Sequence, residues 1–107
     1  MNEVKNLVIS SDNSFSDDVK EGISVVDFWA PWCGPCQMAD QAIKELAKEN
    51  EGKIKVGKVN IDESLQVAGK YGVMSIPTVI LFKDGKEIGR KVGFEGKDSY
   101  LKLISEK

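Results

Sequence analysis

The chain has 107 residues, 41% of them hydrophobic, which suffices for one compact domain over residues 1–107 with a single core and is too little for two. Its 15 basic and 17 acidic residues are scattered and leave a net charge of −2, so the basic footprint of a nucleic-acid binder is missing. No apolar run approaches the roughly 18 residues of a membrane span, and the opening MNEVKNLVIS holds neither an apolar signal core nor a small-residue cleavage site. A soluble, cytoplasmic protein that engages neither nucleic acid nor membrane is expected.

Taken in chain order, KNLVIS reads as a short strand. In SDNSFSDDVKEG, Ser11 or Asp12 caps a short helix, Phe15 and Val19 share a face, and Gly22 ends it. SVVDFWA is β-branched, aromatic and almost continuously apolar, the pattern of a strand covered on both faces, so it belongs at the centre of its sheet. CQMADQAIKELAKENEG follows as the longest helix. It carries Ala39, Ala42, Ile43, Leu46 and Ala47 on one face, Asp40 and Lys44 as an i,i+4 pair opposite, and Gly52 as its stop.

KIKVGKVNID alternates as a strand, and ESLQVAGKYG gives a shorter helix ending near Gly72. IPTVILFKDGKEIGRKVG is a hairpin turning at Asp84-Gly85, a dipeptide suited to positive φ. KDSYLKLISEK closes as an amphipathic helix carrying Leu101 and Ile104. The order β α β α β α β β α makes a sheet with helices on both faces.

Histidine is absent, which removes the commonest general base, metal ligand and partner of a catalytic cysteine. Attention falls on the two cysteines, Cys33 and Cys36 in WCGPC. As a metal site they offer two thiolates where structural zinc takes four ligands, so a metal would have to be shared between two chains. As inert residues they would simply be buried. As a redox pair they would cycle through a disulfide, and their place at the start of a helix in a βαβ pattern favours this reading. There Cys33 meets unpaired backbone N–H groups and the positive end of the helix dipole, which favour its thiolate. Cys36, one turn inside, is the resolving thiol. Gly34 allows close backbone packing, and Pro35 fits the first turn, where its missing N–H costs little.

WCGPC after VDFWA, VNID after the third strand, KYGVMSIPT, the LFKDG turn and KVG before the last helix together closely resemble the thioredoxin family along the whole chain. The resemblance implies an α/β thioredoxin fold, a central mixed sheet of four or five strands flanked by four helices. It implies a monomeric general reductase of disulfides in client proteins. The resemblance further implies that no cofactor is bound beyond the redox-active Cys33–Cys36 disulfide, and that electrons come from a thioredoxin reductase, either a flavoprotein using NADPH or a ferredoxin-linked donor.

Carried over position by position, the family's roles make Cys33 the nucleophile, Cys36 the resolving thiol and Pro77 a cis proline facing them, which leaves the Ile76 backbone to pair with an extended substrate segment. The residues alone say only that Pro77 precedes a strand. Asp27 and Lys58 each place a charge at core parity, which is costly unless paired or used. They are either a structural ion pair or, in the role the family gives them, a proton relay in which Asp27 serves Cys36 and Lys58 modulates Asp27.

Trp29 reads as packing. Trp32 is expected on an exposed apolar rim with Gly34 and Pro35, Met74 and Ile76, and Gly93 and Phe94, a collar suited to varied partners. The chain departs from the family in two places. Asp40-Gln41 stands where many relatives carry a proline, so no proline kink is expected, and Phe94 is bulkier than expected beside Gly93. The rival reading is a non-catalytic thioredoxin-fold binding or stabilising subunit, against which the intact Cys33, Cys36, Asp27 and Pro77 argue.

Overall fold

The computed structural model describes residues 4–106. Met1–Glu3, within the stretch read for a signal segment, and Lys107, the end of the stretch read as the closing helix, lie outside the described residues. The strands are β1 (Leu7–Ser10), β2 (Ile23–Trp29), β3 (Ile54–Asn60), β4 (Thr78–Lys83) and β5 (Lys86–Val92). The helices are α1 (Phe15–Asp18), α2 (Gly34–Glu49), α3 (Leu65–Lys70) and α4 (Lys97–Ser105). One mixed sheet of five strands runs in the order β1-β3-β2-β4-β5. β1, β3 and β2 are parallel, and β4 and β5 are antiparallel to their neighbours. This is the expected α/β architecture, with β2 in the middle.

Strand parity divides the core. Val25, Val56 and Val79 face α2 and α4, where they meet Ala39, Ile43, Leu46 and Tyr100, while Val26, Phe28 and Ile80 meet Phe15 and Val67 of α1 and α3. Ile43 and Leu46 are fully buried, each contributing about 1.5–3 kcal/mol of transfer free energy. Asp27 keeps the parity of Val25. It pairs in register with Lys58 on one side and Val79 on the other, so both charges point to the α2 and α4 face.

The hairpin turns where expected, with Asp84 at φ 50° and Gly85 at φ 85°, both left-handed as a type I′ turn requires. The helices differ more. α1 is a single turn with Ser14 at its N-cap; of the two residues expected to cap it, Ser11 accepts the Ser14 N–H on its hydroxyl at 3.3 Å, while Asp12 reaches across to accept the Val67 N–H at 2.9 Å and the Gln66 N–H at 3.3 Å at the start of α3. Those unpaired donors of α3 draw a carboxylate as a cap does. In α4 the buried residues are Tyr100 and Leu103 with Ile104 packed beside them, and Leu101 is exposed. Starting at Lys97 puts the inward stripe at positions 100, 103 and 104, and Leu101 falls one step of about 100° away from Tyr100.

Candidate active site

β2 ends at Trp29 and the chain turns through Pro31 and Trp32, with the Cys33 N–H donating to the Ala30 carbonyl at 3.2 Å. Cys33 is the N-cap of α2, extended at φ −94° and ψ 110°, and Pro35 lies in the first turn. In that geometry the Cys36 N–H donates to Cys33 Sγ at 3.2 Å, so the cap acceptor, usually an oxygen, is here the sulfur. The cysteines are joined as a disulfide with Cα atoms 5.2 Å apart. Both are buried, in a small cluster with Ala30 against Trp29, Ile61 and Ile76.

The loop before β4 approaches from the other side. The Ile76–Pro77 bond is cis, and the Ile76 carbonyl oxygen lies 3.8 Å from Cys33 Sγ, which carries no proton in this oxidised form. Gly93, at φ 86°, donates its N–H to the Pro77 carbonyl at 2.7 Å and ties the end of β5 to the same loop. Of the residues expected on the rim, Trp32 is 68% exposed and Met74 93%, and Gly34 and Pro35 are also exposed. The Trp32 indole N–H donates to Asp62 at 2.9 Å, a contact that local spacing does not reveal. Phe94, expected on the rim, packs in part against the core. It is half-buried and tilted against Tyr100 with ring centroids 5.8 Å apart, because a ring of that size adds to the α4 core.

Asp27 is fully buried and, among the described residues, neither of its oxygens has a hydrogen-bond partner. Burial pushes its carboxyl from 3.8 up to about 7, with Lys58 opposing and Asp40 reinforcing the rise. Lys58 does not form the ion pair with Asp27 considered from the sequence. Its ammonium pairs with Asp40 Oδ1 and sits over the Trp29 ring, 4.5 Å from the centroid. Burial pushes Asp40 up, but the hydrogen bonds from Lys58 and Lys44 outweigh it and hold the carboxyl below its usual range. Asp40 is thus half-buried beside the relay candidates, not on the outward side of α2. The sequence reading missed this contact; the signal that could have found it is Lys58 itself, a cation at core parity in need of a partner.

Among the described residues, no group of three or more His, Cys, Asp or Glu side chains could hold a metal ion, and no helix is long and apolar enough to cross a membrane. The arrangement can do thiol–disulfide exchange: a capped sulfur at a helix start, a second sulfur one turn on, and a buried carboxyl that holds a proton near neutral pH.

Comparison with known proteins agrees. The family model described as Thioredoxin matches residues 6–106. The thioredoxin of Bacillus subtilis (strain 168) is 45% identical over 100 residues, which are 94% of this chain and 96% of that protein. Those of Staphylococcus saprophyticus and Staphylococcus aureus (strain Mu50 / ATCC 700699) are 42% and 43% identical with the same coverage. A chain alike over nearly its whole length belongs to the thioredoxin family, and so is a thiol–disulfide oxidoreductase of a kind that carries no cofactor.

Proposed function

We propose that the chain acts as one domain, monomeric and in the cytoplasm, as a general reductase of protein disulfides through its CGPC dithiol. The observation that carries this reading is the Cys36 N–H donating to Cys33 Sγ at the start of α2. That donor and the helix dipole stabilise negative charge on Cys33 and not on Cys36.

The Cys33 thiolate attacks one sulfur of a client disulfide, whose S–S bond breaks as the mixed disulfide forms and one client thiolate leaves. Asp27 accepts the Cys36 proton, with Lys58 setting how readily it does so. The Cys36 thiolate then attacks Cys33 Sγ and expels the second client thiolate, which takes the proton back from Asp27 while the first is protonated by water. Two electrons have passed from the dithiol to the client, which leaves as a dithiol, and the Cys33–Cys36 disulfide remains. A reductase returns the electrons; the family resemblance favours a flavoprotein using NADPH, with a ferredoxin-linked donor as the alternative.

Clients are held on the collar of Trp32, Gly34, Pro35, Met74, Ile76 and Gly93 around Pro77, with the Ile76 backbone pairing to an extended segment. Phe94 contributes from behind, by packing. The exposed Trp32 and Met74 of the collar supply adaptable apolar contact and hence broad specificity. Insulin reduction by dithiothreitol tests the reading. The protein is expected to accelerate the appearance of turbidity, and no acceleration would leave only the binding-subunit reading.

A further inference from the structure

Asp40 stands one turn after Cys36 on α2 and receives two lysines, Lys58 from β3 on Oδ1 and Lys44 from its own helix on Oδ2 at 2.9 Å. Lys58 is buried and lies beside Asp27 in strand register, yet among the described residues its ammonium makes no ion pair with Asp27, whose two oxygens are unpartnered. Two carboxylates therefore compete for one buried ammonium on a flexible stem. Asp40 holds it, helped by Lys44 and by its partial exposure to water. The Trp29 ring closes the other side of the ammonium.

We propose that Asp40 is a positioning residue for the buried relay: by clamping the Lys58 ammonium against α2, it keeps Asp27 without a cation and available to take up and return the proton of Cys36. The inference rests on the reading of Asp27 as the proton relay. The groups that bear on Asp27 are few. α2 presents Asp40, with Cys36 one turn earlier and Lys44 beyond; β3 presents Lys58; and β4 presents the uncharged Val79. α4 presents Tyr100, whose phenol is pushed up by burial and by the charge of Asp27 and so stays neutral. Removing the Asp40 charge acts twice in one direction, since it takes away a like charge and frees a cation for Asp27.

The test is a titration of the Asp27 carboxyl by carbon NMR in wild type, Asp40→Asn, Asp40→Glu and the Asp40→Asn change made in a Lys58→Met background. Asp40→Asn is expected to lower the Asp27 midpoint by about one pH unit, and Asp40→Glu to stay with wild type. In the Lys58→Met background the same Asn change should move the midpoint less than half as far, because no ammonium is left to release. An unmoved midpoint in Asp40→Asn, or an equal movement with and without Lys58, would overturn the clamp. A purely structural Asp40 would lower thermal stability and leave the titration where it was, which also overturns it. The readout needs no turnover, so a wild type that fails to reduce insulin would strike at the reductase reading while the titration still decides the clamp.

Discussion

Replacing Asp27 by the near-isosteric Asn should stabilise the fold at neutral and higher pH and leave it almost unchanged in acid. The carboxyl is fully buried with unpartnered oxygens, and burial moves it from 3.8 to about 7. Below 3.8 it is protonated in both the folded and the unfolded chain, and contributes nothing to the pH dependence. Between 3.8 and about 7 only the unfolded chain ionises, so stability falls as pH rises, by up to about 1.4 kcal/mol per pH unit. Above about 7 both states are ionised and the loss levels off, at about 4 kcal/mol.

In acid the protonated Asp27 carboxyl and the Asn amide each leave a buried polar group unpaired, at a similar cost of about 1–3 kcal/mol, and that cost does not change with pH. The comparison that isolates the charge is therefore the difference between two pH values. Urea denaturation of wild type and Asp27→Asn at pH 4 and pH 8 should show the stability gap growing in favour of Asn by about 4 kcal/mol. A gap that does not grow with pH, or an Asn variant that loses ground at pH 8, would mean that Asp27 is held as a paired carboxylate and that the relay argument is wrong.

Two further outcomes follow from the rim. Gly93→Ala should destabilise by about 1–2 kcal/mol, because a Cβ there meets nothing within 4 Å and the cost is that of the left-handed backbone at φ 86° alone; an unchanged urea midpoint would count against that conformation. Trp32→Ala should change stability by less than about 1 kcal/mol, since the side chain is 68% exposed and loses one hydrogen bond to Asp62. Its KM for insulin should rise with kcat little changed, as loss of uniform binding requires; wild-type kinetics would remove Trp32 from the client-binding collar.

The features legible in the sequence are those that local chemistry encodes. The almost unbroken apolar run of β2 marks a strand covered on both faces, Asp84-Gly85 marks its turn through the φ values it tolerates, and the spacing of Ala39, Ile43 and Leu46 fixes the inward face of α2. What escaped depends on elements meeting in space. Asp12 caps a helix that begins more than fifty residues later, and no local pattern distinguishes that from capping α1. The i,i+4 spacing found Asp40 with Lys44, but Lys58 reaches Asp40 only because α2 packs over β3. Phe94 read as rim because its neighbours are, whereas Tyr100 offers it a packing partner from α4. The cis bond before Pro77 came from family resemblance, since residue chemistry alone said only that a proline opens the strand.

The central claim is that Cys33 attacks and Cys36 resolves, and the most direct measurement is trapping. Cys36→Ser and Cys33→Ser variants, reduced and mixed with disulfide-bearing clients, are compared on non-reducing gels for covalent adducts that dithiothreitol releases. With the cap hydrogen bond on Cys33 Sγ, Cys36→Ser should accumulate stable mixed disulfides, because the attacking thiolate is intact and nothing resolves the adduct. Cys33→Ser should accumulate almost none. Equal trapping by both variants, or trapping by Cys33→Ser alone, would contradict the assignment.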